Sequence, residues 1–474
     1  MKNSTLIRLL RTLDKKECRE FTKWLASPFF NQRQDVVTLF RYLTDGNHLF
    51  EEKFLTKERI HKKIFPKVDF DDAKFRQTVH FLHKQLEHYL AYKEIEEEQY
   101  ALPVAYLKSL RKRKADQIFQ KKFNTLRKNG LSDDKTLDGD GLRHSFEMLS
   151  EHYTLMLETN QSKNEYLQET SATFDLYLIA EKLKQTCLEN SHNKVYKTNY
   201  EGYLTKEVLR LIESEPQLLQ HPAIAVYYYG YRIQQRGDNR DQYYFELRKL
   251  IKNYQHIFST NEQKHIYRMA INYCIERMNK GAATFVREAF EMYKKGLEDN
   301  FLIQDNVLGG ITYLNIGTAA LRLKEYEWAD KYVNKYARFV EEKYRENFKD
   351  YLLAKLAFEQ KRYDQAMILL FGFESKHILV NLNARAMLIK IYYEQDEIDA
   401  LESLLESTNA YLKRKANNTG YQANTTANMV KYTRKLVRVN PFDKQKRAAL
   451  REEIANANPL TERAWLLKQV DKLD

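Results

Sequence analysis

The sequence predicts an all-α protein, and three observations carry that reading. Only 14 Gly and 7 Pro occur in 474 residues, too few for the tight turns that β-hairpins need. Apolar residues recur at helical rather than alternating spacing along most of the chain, the pattern of helices that bury one stripe. The third observation is a repeated turn. LRLKEYEWADKYVNKYA at 321–337 and FEQKRYDQAMILLFGFE at 358–374 carry Lys, Tyr and Ala at the same relative positions, 37 residues apart (Lys324, Tyr326, Ala329; Lys361, Tyr363, Ala366). The 33 Tyr and 25 Phe suit helix faces that bury a ring and leave its hydroxyl a partner.

Taken in chain order, residues 1–98 are expected to form an N-terminal helical domain. Asp14 and Glu17 make a capping-box start to KKECREFTKWLA, with Phe21, Trp24 and Leu25 on one face. Pro28 ends that helix. QDVVTLFRYL follows, then TKERIHKKIF between Thr56 and Pro66, then a long helix from about Asp72 to Glu98 with Phe75, Val79, Leu82, Leu86, Tyr89 and Leu90 as its stripe. Residues 99–200 are expected to hold a basic connecting helix and linker helices. Along 104–128, Leu107, Leu110, Ile118, Phe119, Phe123 and Leu126 take one side and most basic residues the other. The glycine-bearing stretch from Gly130 to Gly141 reads as a hinge loop, two helices fill 142–190, and SHNKVYKTN reads as a further loop.

From 201 to 415, helical segments alternate with short breaks. Gly317 stands twelve residues before Ala329, and Ala354 twelve before Ala366. Small residues at that spacing let the two helices of a hairpin approach where their axes cross, so Gly317 is expected to face Ala329. Residues 416–474 are expected to cap the array with basic helices.

These hairpins resemble the tetratricopeptide repeat, which carries a small residue at position eight, Gly or a polar residue at fifteen, Tyr at seventeen and Ala at twenty. Gly317, Lys324, Tyr326 and Ala329 match in one copy, and Ala354, Lys361, Tyr363 and Ala366 in the next. YYYGYRIQQRGD matches at Gly230, Gly237 and Asp238 and then loses register, while IKIYYEQDEIDALESLL has Ile398 and Leu401 where Tyr and Ala would stand. The closing proline is replaced by Glu341, Ile378 and Lys413. The resemblance therefore implies an irregular α-solenoid over roughly 223–410, with a concave face lined by first helices. Carried over, the family's groove positions fall on Tyr227, Tyr231, Gln234, Leu314, Arg322, Tyr351, Lys355, Glu359, Lys390 and Glu394. In the family such positions hold a peptide, often by a carboxylate through Lys or Arg.

Charge and motifs bound the function. The net charge of +13 is local: nine Lys/Arg stand against one acid in 101–130, and eleven against one in 410–451. Lys108, Arg111, Lys112, Arg113, Lys114, Lys121, Lys122, Arg434, Lys435 and Arg438 form the candidate basic patch, suited to an acidic partner or to nucleic acid. No phosphate loop, dinucleotide fingerprint, nucleophile elbow or HExxH helix occurs, which argues against an enzyme and against a bound cofactor. His80 and His83, near Glu87 and His88, are the one metal-like spacing, and they read better as a polar surface stripe. Cys18, Cys187 and Cys274 are odd in number and far apart, pointing to free thiols in a reducing cytoplasm. No apolar run approaches the ~18–20 residues that span a bilayer, so no membrane association is expected.

The expected function is non-catalytic binding of a protein or peptide, with an acidic ligand favoured. The alternative is a nucleic-acid-binding regulator. LTKERIHKKIFPKVDFDDAKFRQTVHFLHKQL resembles the helical half of a winged-helix activator, which would require strands after its recognition helix.

Overall fold

In the computed structural model, which describes every residue except 132–136, 160–165, 305, 376, 415 and 474, the described chain is all-α apart from one two-stranded ribbon. It divides into two compact units, Met1–Lys182 and Leu183–Asp474.

The first unit opens with α1 (Thr5–Leu10), α2 (Lys15–Ala26), α3 (Gln34–Thr44), α4 (Lys57–Ile64) and α5 (Asp72–Glu97). The reciprocal Asp14–Glu17 capping box starts α2, satisfying orphan amide donors at both ends of the motif. Phe21, Leu39, Phe40, Leu43, Ile60, Phe75, Leu82 and Leu86 make one core under these helices, as the stripe on α5 requires. The expected single helix over 104–128 is instead a hairpin of α6 (Ala101–Lys112) and α7 (Asp116–Leu126). Lys114 takes a left-handed conformation at φ 56°, and its amide and that of Ala115 return to the carbonyls of Arg111 and Leu110. Because the chain doubles back there, Ile118 leaves the apolar side and is 55% exposed, while Phe119, Phe123 and Leu126 are buried. α8 (Gly139–Glu158) packs on this hairpin. Part of the Gly130–Gly141 stretch read as a hinge lies outside the described residues.

α9 (Leu167–Tyr196) runs through the residues expected to form the SHNKV loop. The second unit then continues with α10 (Thr205–Ser214) and five hairpins: α11 (Pro222–Gln234) with α12 (Arg240–Tyr254), α13 (Thr260–Asn279) with α14 (Thr284–Glu298), α15 (Gly310–Arg322) with α16 (Tyr326–Tyr336), α17 (Glu342–Glu359) with α18 (Tyr363–Leu370), and α19 (Ile378–Glu394) with α20 (Ile398–Arg414). The ribbon, Ile303–Gln304 (β1) against Val307–Leu308 (β2), joins α14 to α15. α21 (Ala416–Arg438), α22 (Lys444–Asn456) and α23 (Arg463–Asp471) close the chain around Leu436, Ile454 and Leu466.

The repeated turn has a physical cause. Lys324 and Lys361 both sit at left-handed φ, 61° and 59°. In each turn the amide of that lysine returns to the carbonyl three residues back, and the next amide to the carbonyl five back: Lys324 to Leu321 and Glu325 to Ala320, Lys361 to Phe358 and Arg362 to Ala357. This is the Schellman closure of a helix C-terminus. Gly281 and Asp396 close α13 and α19 in the same way. One residue reverses the chain, so the second helix starts at a fixed offset.

Gly317 makes its closest approach to a helix other than the one expected. A Cβ placed on Gly317 would stand 2.6 Å from Leu352 on α17, and Leu352 supplies all three of the nearest atoms. Gly317 therefore lets the first helices of successive hairpins approach, and its nearest neighbour is not Ala329. Ala329 lies in a cluster with Ala319 and Ala320 of α15 and with Phe290 and Leu356. Gly310 likewise faces Phe348 of α17, and Gly230 of α11 faces Met269 of α13.

Candidate functional site

Close approach of α15, α17 and α19 puts the last turns of three first helices side by side. Arg322 ends α15, Lys355 lies in the last turns of α17, and Lys390 lies in those of α19. Lys355 feels the charges of both Arg322 and Lys390. Burial is the main force on its ammonium; with Arg322 it pushes the group down to about 8, against the opposing pull of Glu462 and Glu359. Among the described residues the Lys355 Nζ donates a hydrogen bond to Thr318 Oγ1 alone, at 3.5 Å. Among the described residues neither Arg322 nor Lys355 holds an ion pair. Lys390 does: its Nζ donates to Glu462 Oε2 at 3.0 Å, and it stands over the Phe358 ring at 4.7 Å. Tyr351, buried one turn before Lys355, has its hydroxyl pushed above the usual tyrosine range by burial and then by the charge of Glu462.

The other groove positions fare differently. Tyr227 is 3% exposed and donates its hydroxyl to buried Glu262 at 2.7 Å, so it is part of the core. Leu314 is core as well. Tyr231 and Gln234 are half-buried, and Glu359 is exposed beside Lys355. Glu394 accepts from Trp465 Nε1 at 2.8 Å and from Gln469 Nε2 at 3.3 Å, with the Tyr363 hydroxyl as a further donor. Both predicted groove residues of α19 thus bond the chain's own C-terminal segment. Sequence reading missed Glu462 and Trp465 because they lie 72 and 71 residues from the groups they meet, and no local signal marks them.

Two cavities flank different surfaces. One of about 620 Å³ opens between α13 and α15, lined among others by Lys264, Arg268, Asn272, Phe301 and Asn315. None of the predicted groove residues falls on α13. Another, of about 880 Å³, lies in the first unit between α3 and α4, with Arg41, Arg59, Lys62 and Lys63 facing Asp45 and His48.

The candidate basic patch is partly consumed within the protein. Arg111 pairs with Glu151 at 2.7 Å and Glu158 at 2.6 Å, Lys435 pairs with Glu453, and Arg438 stands 3.9 Å from Glu402. Arg113 turns back onto Ser109 of its own helix. Lys108, Lys112, Lys114 and Lys121 are exposed, and Lys122 and Arg434 are half-exposed. After α5 the described chain continues into α6, so the strands that a winged helix needs there are absent among the described residues. Around His80 and His83, as elsewhere among the described residues, no group of three potential metal ligands comes together. Cys274 is buried, and burial raises its thiol to about 12. Among the described residues no helix is long and apolar enough to cross a membrane.

Comparison with protein families, with curated proteins and with solved structures finds no match for this chain.

Proposed function

We propose that the second unit is an irregular tetratricopeptide-like solenoid that binds an acidic segment of another protein, without catalysis, on the face lined by α15, α17 and α19. The observation that carries this reading is the convergence of Arg322, Lys355 and Lys390 from three successive first helices, with a carboxylate bonded, among the described residues, to Lys390 alone. Lys355 and Lys390 are partly withdrawn from water while Arg322 stays exposed, and an incoming carboxylate relieves the repulsion that Lys355 feels from the other two while gaining charge-assisted hydrogen bonds. Tyr351 and Phe358 supply apolar walls that exclude water from the contact. The nucleic-acid alternative has less support, because Arg111, Lys435 and Arg438 already hold carboxylates of the chain.

The test is fluorescence anisotropy with a labelled glutamate-rich peptide, using the full chain. Lys355→Met with Lys390→Met is expected to weaken binding by at least about 10-fold, since hydrogen bonds to charged groups contribute about 1.5–3 kcal/mol each. Lys108→Met, on the other unit, is expected to leave it unchanged. Equal affinity of the wild type and the double variant would reject the groove as the binding surface.

A further inference from the structure

The carboxylate already in the groove is the informative one. Glu462 belongs to the segment between α22 and α23, and its backbone sits in the left-handed region at φ 53° and ψ 27°. A residue with a β-carbon adopts that region only against a steric cost, and surrounding contacts must hold it there. Contacts on both sides do so: Asn428 Nδ2 donates to the Pro459 carbonyl at 2.7 Å, and Trp465 and Gln469 of α23 bond Glu394 of α19. What the arrangement achieves is the delivery of one carboxylate to Lys390, whose side chain is only 13% exposed. A nearly buried ammonium without a partner is costly, so Glu462 stabilises the groove while the groove stands without a guest.

Three properties mark this carboxylate as a replaceable occupant rather than a fixed strut. Its side chain is 35% exposed, so rotation about its own bonds can carry the carboxylate to water with α23 still docked. It does not cap α23, having no side-chain bond to that helix's first turn. It also leaves Arg322 and Lys355 without an ion pair among the described residues, although its charge reaches Lys355. One resident carboxylate thus stands where a ligand with several could engage all three cations.

We propose that Glu462 is an internal stand-in for the acidic ligand, and that a guest carboxylate binds Lys390 by displacing it. The C-terminal segment then sets the affinity of the groove by competition. This inference rests on the groove reading above, and it names the chemistry of the guest: a peptide that brings at least one carboxylate, from an acidic side chain or from its own C-terminus.

The experiment uses the full chain and a fluorescein-labelled glutamate-rich hexapeptide, made with a free C-terminal acid and again with a C-terminal amide. Glu462→Gln, close in shape and uncharged, is expected to bind the peptide about 10-fold more tightly than the wild type, a change of about 1.4 kcal/mol. Glu462→Asp keeps the charge but shortens the reach, and is expected to gain part of that increase; it carries the test if the glutamine variant folds poorly. With Lys390→Met in the background, Glu462→Gln is expected to add nothing. A gain for both peptide forms assigns the guest carboxylate to side chains, and a gain for the free acid alone assigns it to the C-terminus. If Glu462→Gln and Glu462→Asp match the wild type while Lys355→Met still weakens binding, competition by Glu462 is wrong and the groove reading stands. If no variant binds either peptide, both fall together.

Discussion

Lys355 shows how one side chain can carry a measurable signature of the site. It is half-buried and faces Arg322 from α15, Lys390 from α19, Glu462 from the C-terminal segment and Glu359 from its own helix. Burial and the neighbouring cations outweigh the two carboxylates, so its ammonium titrates near 8 rather than at the ordinary 10.5. The sign for binding follows directly: the group is charged below about 8, so affinity for an acidic peptide should fall as pH rises from about 7 to about 9. The sign for stability is opposite. Between about 8 and 10.5 the unfolded chain binds more protons than the folded one, so stability should rise with pH across that window. Lys355→Met is expected to remove both effects, as read by peptide anisotropy and by urea midpoints. A pH profile of binding unchanged in that variant would assign the titration elsewhere. The lysine was visible in the sequence as a groove position, but its shifted titration was not, because that depends on side chains 33 residues before it, 35 after it and 107 after it.

At the scale of the element, the turn governs. Lys324 and Lys361 adopt a conformation that glycine takes without steric cost and that other residues enter at about 1–2 kcal/mol. Lys361→Gly should therefore stabilise the second unit by about 0.5–1 kcal/mol after the added freedom of the unfolded chain is subtracted. The measurement is a urea midpoint, and a destabilised variant would mean that the lysine side chain matters more than its backbone. The spacing of this turn was legible in the sequence because the two copies repeat it. The same turn at Lys114 was not, since neither a glycine nor a tyrosine marks it and the basic residues run on through both helices. A left-handed lysine leaves the composition of a helix unchanged, so periodicity alone reads one helix where the chain makes two.

The second unit builds its core from neighbours in chain order. α17 packs on α15, α16, α18 and α19, and Ala354 at its centre is fully buried. Ala354→Leu should overpack that seam and cost about 1–3 kcal/mol. Hydrogen exchange is expected to accelerate in α15 to α19 and to stay unchanged in α11 and α12, because an array of stacked hairpins is stabilised by nearest neighbours. Uniform acceleration from α11 through α21 would show a single cooperative core instead. Of the predicted groove residues, Arg322, Lys355 and Lys390 were placed by the repeat register, while Tyr227, Leu314 and Tyr351 are buried in the core. Register assigns a helix face but cannot tell how closely the next helix covers it.

The sequence by itself determined that this is a helical protein, that one helix starts at the Asp14 capping box, and that two adjacent hairpins share one turn, because capping, periodicity and turn chemistry act over a few residues. Only the tertiary structure decided that Gly317 meets Leu352, that the chain doubles back at Lys114, and that Glu462 occupies the cation cluster. Those outcomes depend on packing and on charges brought together across tens of residues, where separation along the chain says nothing about distance in space.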